Sequence, residues 1–365
     1  MSTRPPQDST GLLDHLTMRY LRRALDASHP TDEPYVMSDV EIFLTQRVVY
    51  ATLFTTGFIS ALTVLLFQFS RLSWPDFFAK TDVAFANSTV TLPLITILYA
   101  LLLLYLAVYL TTAVNRLGAK AIAQICQFPR LHDLRYEYHT ETMFRMARSK
   151  RQPFRLGVGI RAYMAWSRSG LLIYFAVSTV IGFIVSTLVS QWLSAYLSPS
   201  IAVGIGLILY TGWLVYRAWR VQFELRIRIL APLTIRSFVN ELREEWHTDE
   251  QFQEIVTDAL NFAGILSSLH IYVHLLLAET LTDRVSAAVL PHAPDDFMPK
   301  MAALPVAMQR SVERLLLFSM LIDGHFTGTE RKRLKQLQDQ KLLTYTMNDI
   351  KQLRDDYIAG KGLWL

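Results

Sequence analysis

Residues Leu92–Val114, LPLITILYALLLLYLAVYLTTAV, run for twenty-three positions without a charge. As a helix the run rises roughly 35 Å, a little more than the ~30 Å hydrocarbon core of a bilayer. A soluble core helix of this composition needs protein on every side, and ordinary domains seldom supply that for so many consecutive residues. The stretch predicts a membrane span, and it constrains what the rest of the chain can be.

Three further runs fit the same frame. Val48–Phe69 lies between Arg47 and Arg71, Leu171–Leu193 follows Arg168, and Leu197–Tyr216 precedes Arg217 and Arg220; none holds Lys, Arg, Asp, Glu or His. With 52% hydrophobic and 18% charged residues over 365 positions, the chain carries more apolar material than a soluble protein needs. Charges inside hydrocarbon are costly and are kept for ion pathways, proton relays or voltage sensing. Their absence argues against a proton-coupled pump or a voltage sensor, whereas a pore walled by apolar residues needs none. The first apolar run begins too far in for a cleaved secretory signal.

The segments between the runs set the orientation. Ser70–Thr91 reads as a short loop whose Trp74, Phe77, Phe78 and Phe85 suit the headgroup region, and Asn87-Ser88-Thr89 within it matches a glycosylation sequon. Asn115–Gly170 holds eleven Lys/Arg against three Asp/Glu, so the positive-inside rule places it in the cytoplasm. Two spans precede it and two follow, which puts both termini inside. Its densest part, Arg145–Arg168, interleaves basic residues with Phe144, Phe154, Tyr163 and Trp166 and suits anionic headgroups, at ~1 kcal/mol per basic residue near the surface. No nucleic-acid-binding motif accompanies the charge, and no nucleic acid partner is expected. The single cysteine, Cys126, rules out an internal disulfide and a cysteine-based zinc cluster.

Before the first span, residues 1–47 form a cytoplasmic segment. Leu12, Leu13, Leu16, Tyr20 and Leu21 share one helical face within Gly11–Leu25, and Ser38 with Glu41 has capping-box spacing. The first transmembrane hairpin is 48–114, the basic loop 115–170 and the second hairpin 171–216. Ser198-Pro199 suits a cap followed by proline in the first helical turn. Ser178, Gly182, Ser186, Ser190 and Ser194 recur every four residues along the third span, a stripe that lets another helix approach closely. That partner is either a span of the same chain or a second protomer.

Residues 217–365 hold eighteen basic and nineteen acidic residues, a balanced surface for a helical cytoplasmic domain. Helicity is expected from Arg217 to Leu230, ending at Pro232. Helix starts are marked by Thr248 with Gln251, Thr327 with Glu330, and Thr346 with Asp349. Pro291, Pro294, Pro299 and Pro305 mark a loop between two groups of helices. Phe262–Ala278 has no Lys, Arg, Asp or Glu over seventeen residues. It reads as one buried or surface-lying helix, with a fifth span as the rival. His270 and His274 share a face of it at i,i+4, suited to hydrogen-bonded core histidines or to a metal.

Leu316–Leu337, LLFSMLIDGHFTGTERKRLKQL, is the most specific local pattern: an apolar run into Asp323-Gly324, then Phe326, Thr327 and Glu330, then an amphipathic helix. Locally it resembles the TerB-like, tellurite-resistance-associated helical domains, over about one helical hairpin. By that likeness Asp323 and Glu330 match acidic positions implicated in divalent metal binding. A four-span unit followed by such a domain implies a membrane-anchored signalling or stress-response role, and a bacterial cytoplasmic membrane is the expected location. The residues have a structural reading as well, with Gly324 ending one helix and Thr327 and Glu330 capping the next. An EF-hand fits poorly, because Ser319 and Leu321 occupy ligand positions.

No phosphate-cradling loop, nucleophile elbow or zinc spacing is present, so no enzyme activity and no cofactor beyond that metal are expected. The predicted fold is all-α: an integral membrane four-helix unit of two transmembrane hairpins, with a C-terminal cytoplasmic helical domain. The expected function is a membrane-anchored signalling, stress-response or scaffold protein that binds a protein partner or ligand. The alternative is an oligomeric channel, with homo-oligomerisation through the serine stripe.

Overall fold

The computed structural model describes residues 36–365 apart from 79–80, 86–87, 93, 127–167, 247–248, 266–271 and 286–296. The Gly11–Leu25 helix, Asn87 of the sequon, the Arg145–Trp166 part of the basic segment, Thr248 and His270 lie outside the described residues. The described residues fall into two compact units, one of 44–125 and 168–223, the other of 36–43, Cys126 and 224–365.

In the first unit, four helices are long and apolar enough to cross a membrane. They are α1 (Asp39–Ser73), α2 (Leu94–Ile125), α3 (Arg168–Leu193) and the first half of α4 (Pro199–Trp246). Ser38 caps α1, accepting the Glu41 N–H at 3.3 Å while Glu41 accepts the Ser38 N–H at 2.8 Å. The segment between α1 and α2 is not a plain loop. Strands β1 (Thr81–Phe85) and β2 (Ser88–Leu92) pair antiparallel with Phe85 opposite Ser88. Val83, Thr89, Val90 and Thr91 are β-branched, which favours the extended backbone. Leu92 therefore belongs to β2, and the apolar helix starts at Leu94 and continues to Ile125.

Contacts fix α1 and α2 as antiparallel. Asn115 of α2 meets Thr56 of α1, while Ser70 and Tyr99 hydroxyls meet at 2.9 Å near the other end. The faces are sorted opposite to those of a soluble bundle. On α1, Thr45, Thr52, Thr56, Ser60, Thr63 and Ser70 are buried, whereas Tyr50, Phe54, Phe58, Leu62, Leu65 and Phe69 are exposed. Three of the inward hydroxyls close onto their own helix, Thr52 onto the Val48 carbonyl at 2.8 Å, Ser60 onto the Thr56 carbonyl at 2.7 Å and Thr63 onto that of Ile59 at 2.8 Å. Such bonds satisfy the hydroxyls locally, and the exposed Thr55 hydroxyl is bonded likewise onto the Ala51 carbonyl at 2.8 Å, so the outward side presents chiefly apolar groups.

Helix α4 does not stop at Pro232 but runs on to Trp246. A proline in a helix interior removes one backbone bond and crowds the preceding turn. Ile229, Leu230, Ala231, Ile235, Val239 and Leu242 are all buried here, so tertiary packing overrides the local penalty.

The rest of the second unit is α5 (Glu250–Ala263), α6 (Tyr272–Val285), α7 (Phe297–Ala302), α8 (Val306–Leu321), α9 (Gly328–Asp339) and α10 (Met347–Ala359). Its centre is α8, whose residues from Leu315 to Leu321 are fully buried on every side. Phe318 stacks on Phe238 of α4 at 4.0 Å between ring centroids, and Phe297 of α7 stacks on Phe262 of α5 at 4.9 Å. Residues before α1 also belong to this unit, since the Met37 N–H donates to the Gly360 carbonyl at 2.8 Å.

Phe262–Ala278 is not one helix. Helix α5 ends at Ala263, where Gly264 takes the left-handed conformation at φ 84°, and a separate helix begins at Tyr272. Ile265 N–H returns to the Leu260 carbonyl at 3.0 Å, the bond that closes a glycine-terminated helix. The apolar part of α6, Val273–Thr282, is too short to span a bilayer. The cap of α5 is Asp249, which accepts the Phe252 N–H at 3.0 Å.

Candidate functional site

The serine stripe of α3 lies against α4 of the same chain. Ser178 is the hub: its carbonyl accepts the Trp213 indole N–H at 3.0 Å, and its hydroxyl oxygen accepts from Arg217 Nε at 2.9 Å. The Arg217 guanidinium sits 4.0 Å from the Tyr174 ring centroid and 5.2 Å from that of Trp213, a cation held between two aromatic faces. A Cβ on Gly182 would lie 2.7 Å from the Trp213 ring, and one on Gly206 of α4 would overlap Ser190 Oγ. Absent side chains thus admit the indole at one level and the facing backbone at the next. Ser186 is buried, Ser190 is half-buried, and Ser194 lies beyond the helix end, exposed.

A second polar junction was not visible as a motif. Asn115 donates from Nδ2 to Thr56 Oγ1 at 3.2 Å and to the Thr111 carbonyl at 2.9 Å. Gln222 Nε2 donates to the carbonyl and to Oδ1 of Asn115, at 3.1 and 3.2 Å. Three helices therefore meet through two carboxamides, both fully buried. A Cβ on Gly118 would overlap Thr52 Oγ1, so the junction also depends on close backbone approach. The available signal was Asn115 at i+4 from Thr111 on an uninterrupted helical pattern, with Gln222 two turns after the last apolar span.

In the second unit the sequence-predicted pair surrounds the turn between α8 and α9. Asp323 Oδ1 accepts the His325 N–H at 2.8 Å, and Gly324 follows at φ 72°. Thr327 and Glu330 form the reciprocal capping box, with Glu330 Oε2 accepting the Thr327 N–H at 2.6 Å and its hydroxyl at 2.9 Å. Both carboxylates are thus employed in shaping the turn. The Glu330 charge reaches Asp323, but the capping oxygen of Glu330 is already committed. Among the described residues, no three His, Cys, Asp or Glu side chains are gathered as a metal-binding group.

Asp323 has two further neighbours from distant helices. His274 Nε2 of α6 lies 3.8 Å from Asp323 Oδ2, and both side chains are buried. Tyr357 of α10, fully buried, feels the Asp323 charge; burial first and that charge second push its phenol up. For Asp323 itself, burial raises the carboxyl to about 7; the His325 N–H opposes this and the Glu330 charge adds to it. A carboxyl held in an apolar interior changes charge near neutral pH, which an exposed aspartate does not. The histidine and the tyrosine were not foreseen as its companions, because they come from helices far away in sequence.

The neighbouring turn is tied down separately. Buried Glu313 of α8 accepts the Thr344 N–H at 2.5 Å and the Thr344 hydroxyl at 2.7 Å, ahead of the Thr346–Asp349 capping box that opens α10. The α8–α9–α10 arrangement is therefore specified by polar groups at both turns. Compared with protein-family models, with curated proteins and with solved structures, this chain finds no match in any of the three.

Proposed function

We propose that the protein is a multi-pass protein of a bacterial cytoplasmic membrane, with both termini cytoplasmic. Its C-terminal TerB-like helical domain serves as a signalling or scaffold module that binds a protein partner. The observation that carries this reading is the distribution of exposed bulky apolar side chains. They crowd α1, α2, α3 and the first half of α4, whereas from residue 224 onward only Val306 and Trp364 are exposed among the described residues. A unit greasy outside and hydroxylated inside suits lipid, and one with a buried core and a charged surface suits water. Helix α4 begins in one and ends in the other. In this reading the module is non-catalytic, and anionic lipid engages the basic loop.

The rival, an oligomeric pore assembled through Ser178–Ser194, has less support, since α4 already covers most of that face. Two measurements on the full chain test the proposal. With Cys126→Ser as background, single cysteines at positions 151 and 365 should resist an impermeant maleimide added outside intact cells and react after lysis. A photo-crosslinking residue at exposed Lys335 of α9 should capture one protein reproducibly in cells. Labelling of either cysteine from outside refutes the topology; a crosslinked set identical to that from outward-facing Leu101 refutes the partner-binding role.

A further inference from the structure

The first unit is not uniformly satisfied inside. Seven of its buried polar side-chain atoms have no hydrogen-bond partner among the described residues: Thr45 Oγ1, Thr111 Oγ1, Thr112 Oγ1, Thr179 Oγ1, Tyr210 OH, Thr211 Oγ1 and Gln222 Oε1. They are not scattered along the bundle. On α2 they fall within one turn of Asn115, on α3 in the half that begins at Arg168, and on α4 from the Tyr210 ring towards Gln222. All lie on the Asn115 side of, or at, an aromatic cluster in which Phe67 and Phe183 meet edge to face at 5.4 Å and Phe183 and Tyr210 at 6.2 Å.

Beyond that cluster the situation reverses. Ser186 and Ser190 each donate to a carbonyl of their own helix and Ser70 pairs with Tyr99, while on the Asn115 side Ser60 and Thr63 of α1 are satisfied in the same way. At the aromatic level itself, Val64, Tyr210 and Leu214 form a buried apolar cluster with Phe183 and Leu207 packed against it. A threonine can turn its hydroxyl back onto its own helix, as Thr52 does at 2.8 Å. Tyr210 and Gln222 have no such recourse, because their polar ends stand too far from their own backbone. A buried polar atom without a partner is destabilising, and ordered water is the usual remedy where polar groups converge.

Taking the membrane placement proposed above as given, we infer that water enters the Asn115 half of the bundle and stops at the Phe67–Phe183–Tyr210 cluster. The unit is then a one-sided hydrated vestibule that binds water through Thr111, Thr179, Tyr210 and Gln222, closed by an aromatic plug. Apolar constrictions of this kind hold back water and ions without any charge in the wall. This arrangement differs from a pore between protomers, since every group belongs to one chain.

Cysteine accessibility in nanodiscs tests it. In a Cys126→Ser background, Thr111→Cys and Thr179→Cys should react with a small water-soluble thiosulfonate at least tenfold faster than Val64→Cys at the plug and Leu101→Cys on the outward face. Unreactive cysteines at 111 and 179, matching 101, mean a dry interior and overturn the vestibule while leaving the membrane placement intact. Fast reaction at 64 overturns the plug. Fast reaction at 101 overturns the lipid placement itself. Should a substitution disturb folding, amide hydrogen exchange of the unaltered chain gives the same answer: faster exchange at 111–115 than at 101–104 is expected, and equal protection contradicts the proposal.

Discussion

Replacing Asp323 by asparagine tests the buried cluster of the second unit directly. Asparagine keeps an oxygen to accept the His325 N–H, removes the ionisation and sets an NH2 where Oδ2 faces His274. The carboxyl moves from 3.8 to about 7, chiefly through burial. Each unit corresponds to about 1.4 kcal/mol, so the ionised form costs the fold about 4 kcal/mol. The sign follows from proton counting. Below about pH 4 folded and unfolded chains both hold the proton and there is no penalty. Between there and about 7 only the folded chain holds it, so stability falls as pH rises, and above about 7 the full penalty applies. Thermal unfolding of the full chain in nanodiscs, followed by tryptophan fluorescence from pH 5 to pH 8.5, should show wild type losing on the order of 10 °C. Asp323→Asn should flatten that slope and exceed wild type at the alkaline end. A variant whose slope parallels wild type would mean that Asp323 is solvated, and the reasoning about its burial would fail. His274 faces the same carboxyl, the Glu330 charge acts on it and its own charge acts on Tyr357, and His274→Gln in parallel reports whether the imidazole alters the penalty.

Four other substitutions follow from the packing. Gly182→Leu drives a branched side chain into the Trp213 ring, and overpacking should cost about 1–3 kcal/mol, read as a lower denaturation midpoint in mixed micelles; an unchanged midpoint would mean that α3 and α4 are not in contact there. Asn115→Ala removes the link among α1, α2 and α4 and should cost about 1–2 kcal/mol, the range for polar contacts between membrane helices, with Gln222→Leu on that background adding much less than it does alone. Thr344→Val strips one of two donors from buried Glu313 and should cost about 1–3 kcal/mol, seen as faster proteolysis at the α9–α10 turn; resistance equal to wild type would count against that anchor.

The long uncharged runs located four apolar helices because hydrocarbon thickness is a one-dimensional requirement, readable from length alone. Capping boxes at Ser38, Thr327 and Thr346 were equally legible, since their donors and acceptors are three residues apart. What escaped was set by distance in sequence or by competition between signals. Pro232 argues for a break, and only the buried neighbours on both sides explain why the helix continues. The apolar run through Phe262–Ala278 outweighed Gly264, although a glycine after an amphipathic stretch is a stop signal in its own right. At the Asp323 turn the sequence marked the acidic pair but not the burial, and burial decides the charge. His274 and Tyr357 become its companions only through the packing of α6 and α10 around α8.

The inverted sides of α1 bear on how such a chain can drift. Acyl chains accept phenylalanine, leucine or tyrosine almost indifferently, so nothing outside the bundle tells a helix which way to turn about its own axis. That information resides in the threonines and serines on the concealed side, where adding one methylene displaces a neighbour. Exchanges among the outward aromatics should therefore pass unnoticed, while swapping Thr56 for an equally bulky valine should loosen the assembly despite making the chain greasier.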